Sequence, residues 1–524
     1  MQANDATMSI VYLIGAGPGD PGLMTVRGQQ CLEAADVVLY DHLVPPRLLR
    51  SARPDAEKID VGVAAPQPHE QEAICYLLAE KAREGKVVAR LKWGDPFVFD
   101  SGGAEALFLH EQGVRFEVVP GVPASVAVSS YAGIPITYPG GGDTLVFIRG
   151  HEDEGKTESS IDWANLGHLD GTIACYAGPQ QVGEILNTLL AHGRSGEESV
   201  ALIYDGTLPT QETIVGTLDE MARSAGRSTD RRAAILVVGR VVALRDHLRW
   251  FDARPLFGKR ILVTRPRPQS AELVDQLELL GAQAIEAPMI RIVPPDDYGP
   301  LDDVCARAGE FDWVVFASVN AVDAFVNRLL EGPQDVRCLN GVKLCAVGPA
   351  TAERLAKHGL KVDLTPPEYR ADAVLRELSA KTDVKGLRFL LPRADIGRDV
   401  LADELRKQGA QVTEVVAYRT VVAEPDREGE PDIYHMLLER RIDVVTFTSA
   451  SAVRNFVRVL GAEPAADLLR TTVVASIGPV TAEAASQSGI KTTVMPANYT
   501  IPALVEAIAG HFRKEEREAA HESR

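Results

Sequence analysis

Two regions of this 524-residue chain carry residues arranged for chemistry. In the first half, glycines stand directly behind apolar runs. "LIGAGPGDPGLMT" places Gly15, Gly17 and Gly19 after a strand-forming stretch, and "RLKWGDPFVF" at 90–99 repeats the arrangement with Gly94, Asp95 and Pro96. A glycine turn at the carboxyl end of a parallel strand lets backbone approach a ligand closely and presents bare N–H groups to it. "YDHLV", "VPGVPAS" and "YAGIPIT" are expected to close strands in the same way. The pattern is not a dinucleotide fingerprint, because the position three beyond Gly17 is Asp20, so a nicotinamide-nucleotide domain is the disfavoured alternative. The second half is internally duplicated. "FDWVVFASVNAVDAFVNRL" from 311 returns as "IDVVTFTSASAVRNFVRVL" from 442, and "AVGPATAERLAKHGLKV" from 346 returns as "SIGPVTAEAASQSGIKT" from 476. Arg265/Arg393, Ser318/Ser449 and Thr351/Thr481 recur at a spacing of about 130 residues, which predicts two similar lobes with a ligand cleft between them.

Such residues need a scaffold that gathers strand ends. From residue 10 onward, "IVYLIGAG", "TVRGQQCLEAA" and "DVVLYD" alternate Val- and Ile-rich runs with helical stretches. Solid apolar runs of that length mark parallel strands covered on both faces, so the class is α/β. Further strands are expected at "KVVARLK", "FEVVPG", "TLVFIRGH", "TIACYAG", "SVALIYDG" and "AAILVVGRVV", with loops at "GGG" (140–142) and "EDEGKTESS". "WFDARPLFGK" from 250 breaks the alternation with Pro and Gly and marks a boundary.

Composition narrows the function classes. The length demands several cores, and 45% hydrophobic with 24% charged residues is ordinary for globular protein. A net charge of −18 with no long basic run argues against nucleic-acid binding. Six scattered cysteines without a Cys-x-x-Cys pair are expected to be free thiols in a reducing cytoplasm, and no metal site is expected. No apolar run is long enough to span a membrane, and the start lacks the pattern of a secretion signal, which counts against an exported bilobed solute-binding protein.

The first-half strings, together with "VVGRVVALRDHLRWF", resemble uroporphyrinogen-III C-methyltransferases of the tetrapyrrole methylase family. The resemblance implies two α/β subdomains (about 8–138 and 143–251 within 8–251), a homodimer formed through this region, and S-adenosylmethionine as methyl donor. It implies cofactor contacts from Pro18, Gly94, Asp95, Val98, Ala124, Ala177 and Gly206, with Asp41 as catalytic base. The chain departs from the family pattern at Val63, Trp93, Ser101, Ala104, Pro123, Pro139 and Ala177, where the family usually has Lys, Gly, Arg, Glu, Thr, Arg and Met. Those departures remove groups suited to a polycarboxylate substrate, so the alternative reading is a degenerate methylase domain kept for binding, dimerisation or regulation.

Residues 260–510 resemble uroporphyrinogen-III synthase through "ILVTRP", "FASVNAV", "LLPRADIGRDVLADEL", "VVAYRTV" and "TFTSASAV". That family has two lobes joined by two crossings, which implies one lobe from about 260–290 plus 423–510 and another from 291–422. A linker falls at 252–259 and a charged tail at 511–524. The implied reaction closes linear hydroxymethylbilane with one ring inverted, and Tyr418 matches the family tyrosine proposed to assist the departing hydroxyl. Backbone amides and hydroxyls at helix starts can hold carboxylates without a basic patch, so Ser318, Thr351, Ser449 and Thr481 are expected to bind substrate, with Arg265 and Arg393 as carboxylate partners. Each has a plainer reading. Asp41, Ser318 and Ser449 can cap helices, Thr351 and Thr481 can stabilise a first turn, the arginines can pair between lobes, and Phe97 and Tyr131 can belong to the core. Consecutive steps of tetrapyrrole synthesis fused in one cytoplasmic chain, acting on small tetrapyrroles, is the reading that joins both halves.

Overall fold

The computed structural model describes residues 9–62, 70–150, 161–178, 181–225, 232–287, 290–366, 371–395, 400–422 and 432–522. Val63, His69, His151 and the loop "EDEGKTESS" lie outside them. The chain forms two compact units. One holds residues up to Arg260 with Gln276–Gln283 and the segment from Ala509; the other holds Ile261–Asp275 and Ala284–Ile508.

The first unit contains two sheets. β1 (Ile10–Gly15), β2 (Val37–Tyr40), β3 (Glu57–Asp60), β4 (Val87–Lys92) and β5 (Phe116–Val119) form a wholly parallel sheet in the order β3-β2-β4-β1-β5. Val37, Val38, Leu39, Val88, Ala89 and Leu91 are buried, as strands covered on both faces require. The chain leaving β1 goes to β2, and the chain leaving β4 goes to β5 on the other side, so the strand order reverses between β1 and β4. A crevice opens at such a point.

The second sheet joins β6 (Thr144–Arg149), β7 (Gly171–Ala177), β8 (Ser199–Tyr204), β9 (Glu212–Thr217) and β10 (Ala234–Val238) in the order β6-β7-β10-β8-β9. Here the expectation of parallel strands fails for β10, which runs antiparallel to both β7 and β8; β9, where no strand was expected, runs antiparallel to β8. All five residues of β10 are buried, which its composition announces, but an apolar run carries no direction. "YAGIPIT" does not end a strand. It follows the helix Ala124–Tyr131, where Gly133 takes φ 70°, and a Cβ there would stand 2.7 Å from Arg249 backbone. The segment 252–259 buries Leu256, and 511–522 belongs to the helix Ile501–Glu522.

The second unit also contains two sheets. β11 (Arg260–Val263), β12 (Gln283–Glu286), β18 (Val444–Phe447) and β19 (Val473–Ser476) make one, in the order β12-β11-β18-β19. Between them in sequence, β13 (Ile290–Val293), β14 (Trp313–Phe316), β15 (Lys343–Ala346), β16 (Arg388–Ala394) and β17 (Gln411–Val422) make the other, in the order β13-β17-β16-β14-β15. β14, with Val314 and Phe316 buried, and β18, with Val445 and Phe447 buried, are the duplicated strands, each packed under the helix that follows it.

Candidate functional site

In the first unit β1, β4 and β5 end side by side, and the backbone there excludes side chains. A Cβ on Gly15 would stand 2.5 Å from Gly121 Cα, and one on Gly121 would stand 2.2 Å from the Gly94 carbonyl oxygen. Gly17 N donates to Gly94 O at 3.2 Å and Gly94 N to Gly17 O at 2.9 Å, with φ of 75° and 72° that favour glycine. Asp95 fixes this junction, its Oδ1 accepting from Phe97 N at 2.8 Å and its Oδ2 from Gly121 N at 3.0 Å. Trp93 does not crowd the junction. Its indole donates to the Pro18 carbonyl at 2.9 Å, and its ring packs against the apolar cluster of Ala124 and Val128.

The two sheets of this unit meet through their loops. Asp20 N donates to Thr207 Oγ1 at 3.0 Å, and Asp20 Oδ2 accepts from the Tyr131 hydroxyl at 2.8 Å. Burial and that bond push the Tyr131 phenol up. A Cβ on Gly206 would strike Val128 at 2.4 Å. Tyr176 accepts from Ser125 N at 3.2 Å, donates to Ser125 Oγ at 3.1 Å, and meets Phe99 edge-on with centroids 5.3 Å apart. Phe99, Asp205 and Thr207 hold φ of 54°, 47° and 70° without being glycine, a strain that clusters at these loops.

Behind the glycine junction lies a network of ions. Arg90 and Lys92, two apart on β4, point to the same face, and both are 1% exposed. Arg90 reaches Asp41 Oδ1 at 2.5 Å and Glu105 Oε1 at 3.2 Å. Lys92 Nζ reaches Asp100 Oδ1 at 3.0 Å, Ser101 Oγ at 2.8 Å and the same Glu105 oxygen at 3.1 Å. Glu105 is wholly buried; burial opposes its charge, but Arg90 and Lys92 outweigh it and hold the carboxyl below the usual range. Burial, and then Asp41, push the Asp100 carboxyl up against the pull of Lys92.

The second unit has a different character. Ser318 caps the helix Val319–Glu331 by accepting from Ala321 N at 3.1 Å, and its hydroxyl lies 3.1 Å from the Tyr418 hydroxyl. The β16/β17 register slips at Arg393/Ala394, so that Tyr418 pairs with Ala394. A bulge of this kind re-aims a side chain. Ser449 caps the helix Ala450–Leu460 in the same way and bonds Ser451 at 2.9 Å. Gln269 bonds Asn320. Arg393 lies 2.9 Å from Glu414 on the neighbouring strand, and burial depresses the Arg265 guanidinium.

The comparisons with known proteins fall on the same two regions. Residues 10–222 match the family of Tetrapyrrole (Corrin/Porphyrin) Methylases, and residues 271–506 match Uroporphyrinogen-III synthase HemD. The chain is 36% identical over 499 residues to the porphyrin biosynthesis protein HemD of Ruminiclostridium josui, covering 95% of this chain and 97% of that protein. The chain belongs to both families. It is also 36% identical over 361 residues to the uroporphyrinogen-III C-methyltransferase of Bacillus subtilis, covering 68% of this chain and 74% of that one. Its methylase region is 43% identical over 239 residues to the S-adenosyl-L-methionine-dependent uroporphyrinogen III methyltransferase of Methanosarcina barkeri, covering 45% of this chain and 94% of that one.

In the methylase region Pro18, Gly94, Ala124 and Gly206 fall on one chain of contacts through Trp93 and Val128, with Asp95 and Val98 in the same loop. Ala177 ends β7 beside Tyr176. Asp41 caps no helix, since Pro45 precedes Pro46–Leu49; its carboxylate belongs to Arg90. Phe97 is 57% exposed, so it is not a core residue. In the synthase region Ser318 and Tyr418 meet, whereas among the described residues no hydrogen bond joins Ser449, Thr351 or Thr481 to them. Gly348 and Gly478 take the cap positions before the two threonines, which lie buried in the first turns. Arg393 pairs with Glu414 on the neighbouring strand of its own sheet. Arg90, Lys92 and Glu105 were not anticipated; the signal was two cations alternating within the apolar run "VVARLK". Among the described residues no group of three or more His, Cys, Asp or Glu is placed to hold a metal, and no helix is long and apolar enough to cross a membrane.

Proposed function

We propose that the synthase region closes hydroxymethylbilane to uroporphyrinogen III and that the methylase region methylates that product with S-adenosylmethionine toward precorrin-2, on the sirohaem and cobalamin branch. The observation that carries the reading is end-to-end likeness, over 95% of the chain, to one porphyrin biosynthesis protein. The product of the second region is then the substrate of the first.

The residues present suit the cofactor. The Gly15, Gly94 and Gly121 junction brings bare backbone against backbone, with no room for a Cβ on Gly15 or Gly121, at the switch point where α/β sheets take ligands. Pro18, Gly94, Val98, Ala124, Ala177 and Gly206 are the positions we assign to holding it, with Asp95 shaping the loop. S-adenosylmethionine supplies an electrophilic methyl group; the protein orients the pyrrole carbon and takes up the proton shed afterwards. In the synthase region Tyr418 faces the departing hydroxyl, while Ser318, Ser449, Thr351, Thr481, Arg265 and Arg393 anchor the rings and their carboxylates. One observation favours the degenerate reading of the methylase region: Ser101 Oγ is spent on Lys92, where the family arginine would meet substrate.

The test supplies the purified chain with enzymatically generated hydroxymethylbilane, with and without S-adenosylmethionine, and resolves the oxidised products. Type III uroporphyrin alone, and a doubly methylated species with the donor, is the expected result. Type III product that never gains methyl groups selects the degenerate reading, and type I product alone removes the synthase assignment.

A further inference from the structure

Residues 93–99, the loop that follows β4, carry Gly94, Asp95 and Val98 between two aromatic side chains, and both of these reach the second sheet. Phe99 meets the ring of Tyr176 on β7 edge-on, with centroids 5.3 Å apart. Trp93 is half-buried and packs, as Tyr176 does, on the apolar cluster that Ala124 and Val128 share with Ala201 and Ile203 of β8 and Ile235 and Val237 of β10. Tyr176 in turn bonds Ser125, next to Ala124. The loop is anchored at both ends on elements of the second sheet.

Trp93 spends its two donors on two other strand ends. Its backbone N lies 3.4 Å from Asp41 Oδ2, after β2, and its indole N–H donates to the Pro18 carbonyl, after β1, at 2.9 Å. The turn that contains Pro18 needs such holds, because Gly17 and Gly19 on either side of it take φ of 75° and 156°, and glycine loses the most chain entropy on being fixed. Gly17 pairs with Gly94, and Asp20 bonds Thr207 and Tyr131. Pro18 has no N–H of its own and is held through its carbonyl by Trp93. Glycine, the usual family residue at position 93, has neither the indole N–H nor the ring. One side chain thus bonds Pro18, precedes Gly94 and packs on the cluster of Ala124, three of the positions assigned to the cofactor.

We propose that the Trp93 indole is a positioning residue for S-adenosylmethionine, a strut that sets Pro18, Gly94 and Ala124 relative to one another before the cofactor arrives. The inference rests on the methyltransferase reading. What a glycine at this place leaves to be ordered on binding, this chain orders on folding, so the indole acts on affinity for the cofactor and leaves the chemical step alone. Its N–H fixes the turn, and its ring fixes the loop against the second sheet.

Steady-state methylation of uroporphyrinogen III by the full chain, with calorimetric titration of S-adenosylmethionine and S-adenosylhomocysteine, tests this. Trp93→Phe keeps a ring and removes the N–H. The expected result is cofactor binding weaker by about 10-fold, a matching rise in KM for S-adenosylmethionine and an unchanged kcat. Trp93→Gly removes ring and N–H together and is expected to weaken binding by about 100-fold, with ring closure by the synthase region as in the parent. Fluorescence gives a readout that does not depend on the glycine variant folding. The parent has four tryptophans, Trp93, Trp163, Trp250 and Trp313, and S-adenosylhomocysteine is expected to shift its emission, a shift that Trp93→Phe loses. Variants that bind the cofactor as the parent does, or more tightly, overturn the proposal, as does an emission shift that survives in Trp93→Phe. A Trp93→Phe chain whose kcat falls at unchanged affinity also overturns it, since the residue then serves the chemical step. A parent chain that binds neither S-adenosylmethionine nor S-adenosylhomocysteine overturns the methyltransferase reading itself, and this proposal with it.

Discussion

The methylase and synthase regions solve one recognition problem with different materials. In the methylase region bare glycine backbone forms the junction, and five charged side chains are locked behind it. In the synthase region the polar groups are hydroxyls at helix starts, Ser318 and Ser449, with Tyr418 turned toward the first by a bulge, while Arg393 is engaged with Glu414. Helix starts hold carboxylates through N–H groups and a partial positive charge, which need no desolvated ions. Buried ions are costly unless every member is present, so the first arrangement is brittle and pH-dependent where the second is tolerant.

Six substitutions press on that contrast. Arg90→Met leaves Asp41 without its cation and Glu105 with Lys92 alone, and should lower unfolding free energy by about 3–5 kcal/mol in denaturant titrations. Arg393→Met should cost far less, since Arg406 still pairs with Glu414 at 2.8 Å; equal losses would end the distinction between brittle and tolerant regions. Tyr418→Phe should slow type III ring closure by about 100-fold, read from the ratio of type III to type I product, with fold and methylation of supplied uroporphyrinogen III unchanged. Gly121→Ala forces backbone apart at the junction and should weaken S-adenosylmethionine binding by about 10- to 100-fold in calorimetry, leaving ring closure intact. Ser318→Ala and Ser449→Ala should each cost about 1 kcal/mol as lost helix caps, measured by thermal unfolding. Only the first should also slow ring closure, because only Ser318 touches Tyr418.

Strand positions were legible because buried strands are written as unbroken apolar runs, and the duplication in the second half made its two lobes legible as repeats. Strand direction was not, since β10 is apolar on every residue whichever way it runs. The glycine turns announced the junction at Gly94, but not that Asp95 would be spent on Phe97 and Gly121. Trp93 stood out as a departure from the family glycine, but sequence gives size without rotamer, and the indole reaches Pro18. Arg90 and Lys92 were hidden by their own strand: a cation in an apolar run tells of a partner without telling which, and Glu105 and Asp41 come from other elements.

The pairing of β11 with β18 bears on how this chain is made. Thr264 and Thr446, 182 positions apart, bind the two strands, the hydroxyl of Thr264 donating to the carbonyl of Thr446 at 2.7 Å. At ribosomal speeds of about 5–20 residues per second, Ile261, Leu262 and Val263 wait roughly 10–40 s for their partner to be synthesised. Throughout that interval an apolar strand edge is open to any neighbouring nascent chain. The β11 edge is therefore exposed to mispairing during synthesis for as long as its partner strand is missing.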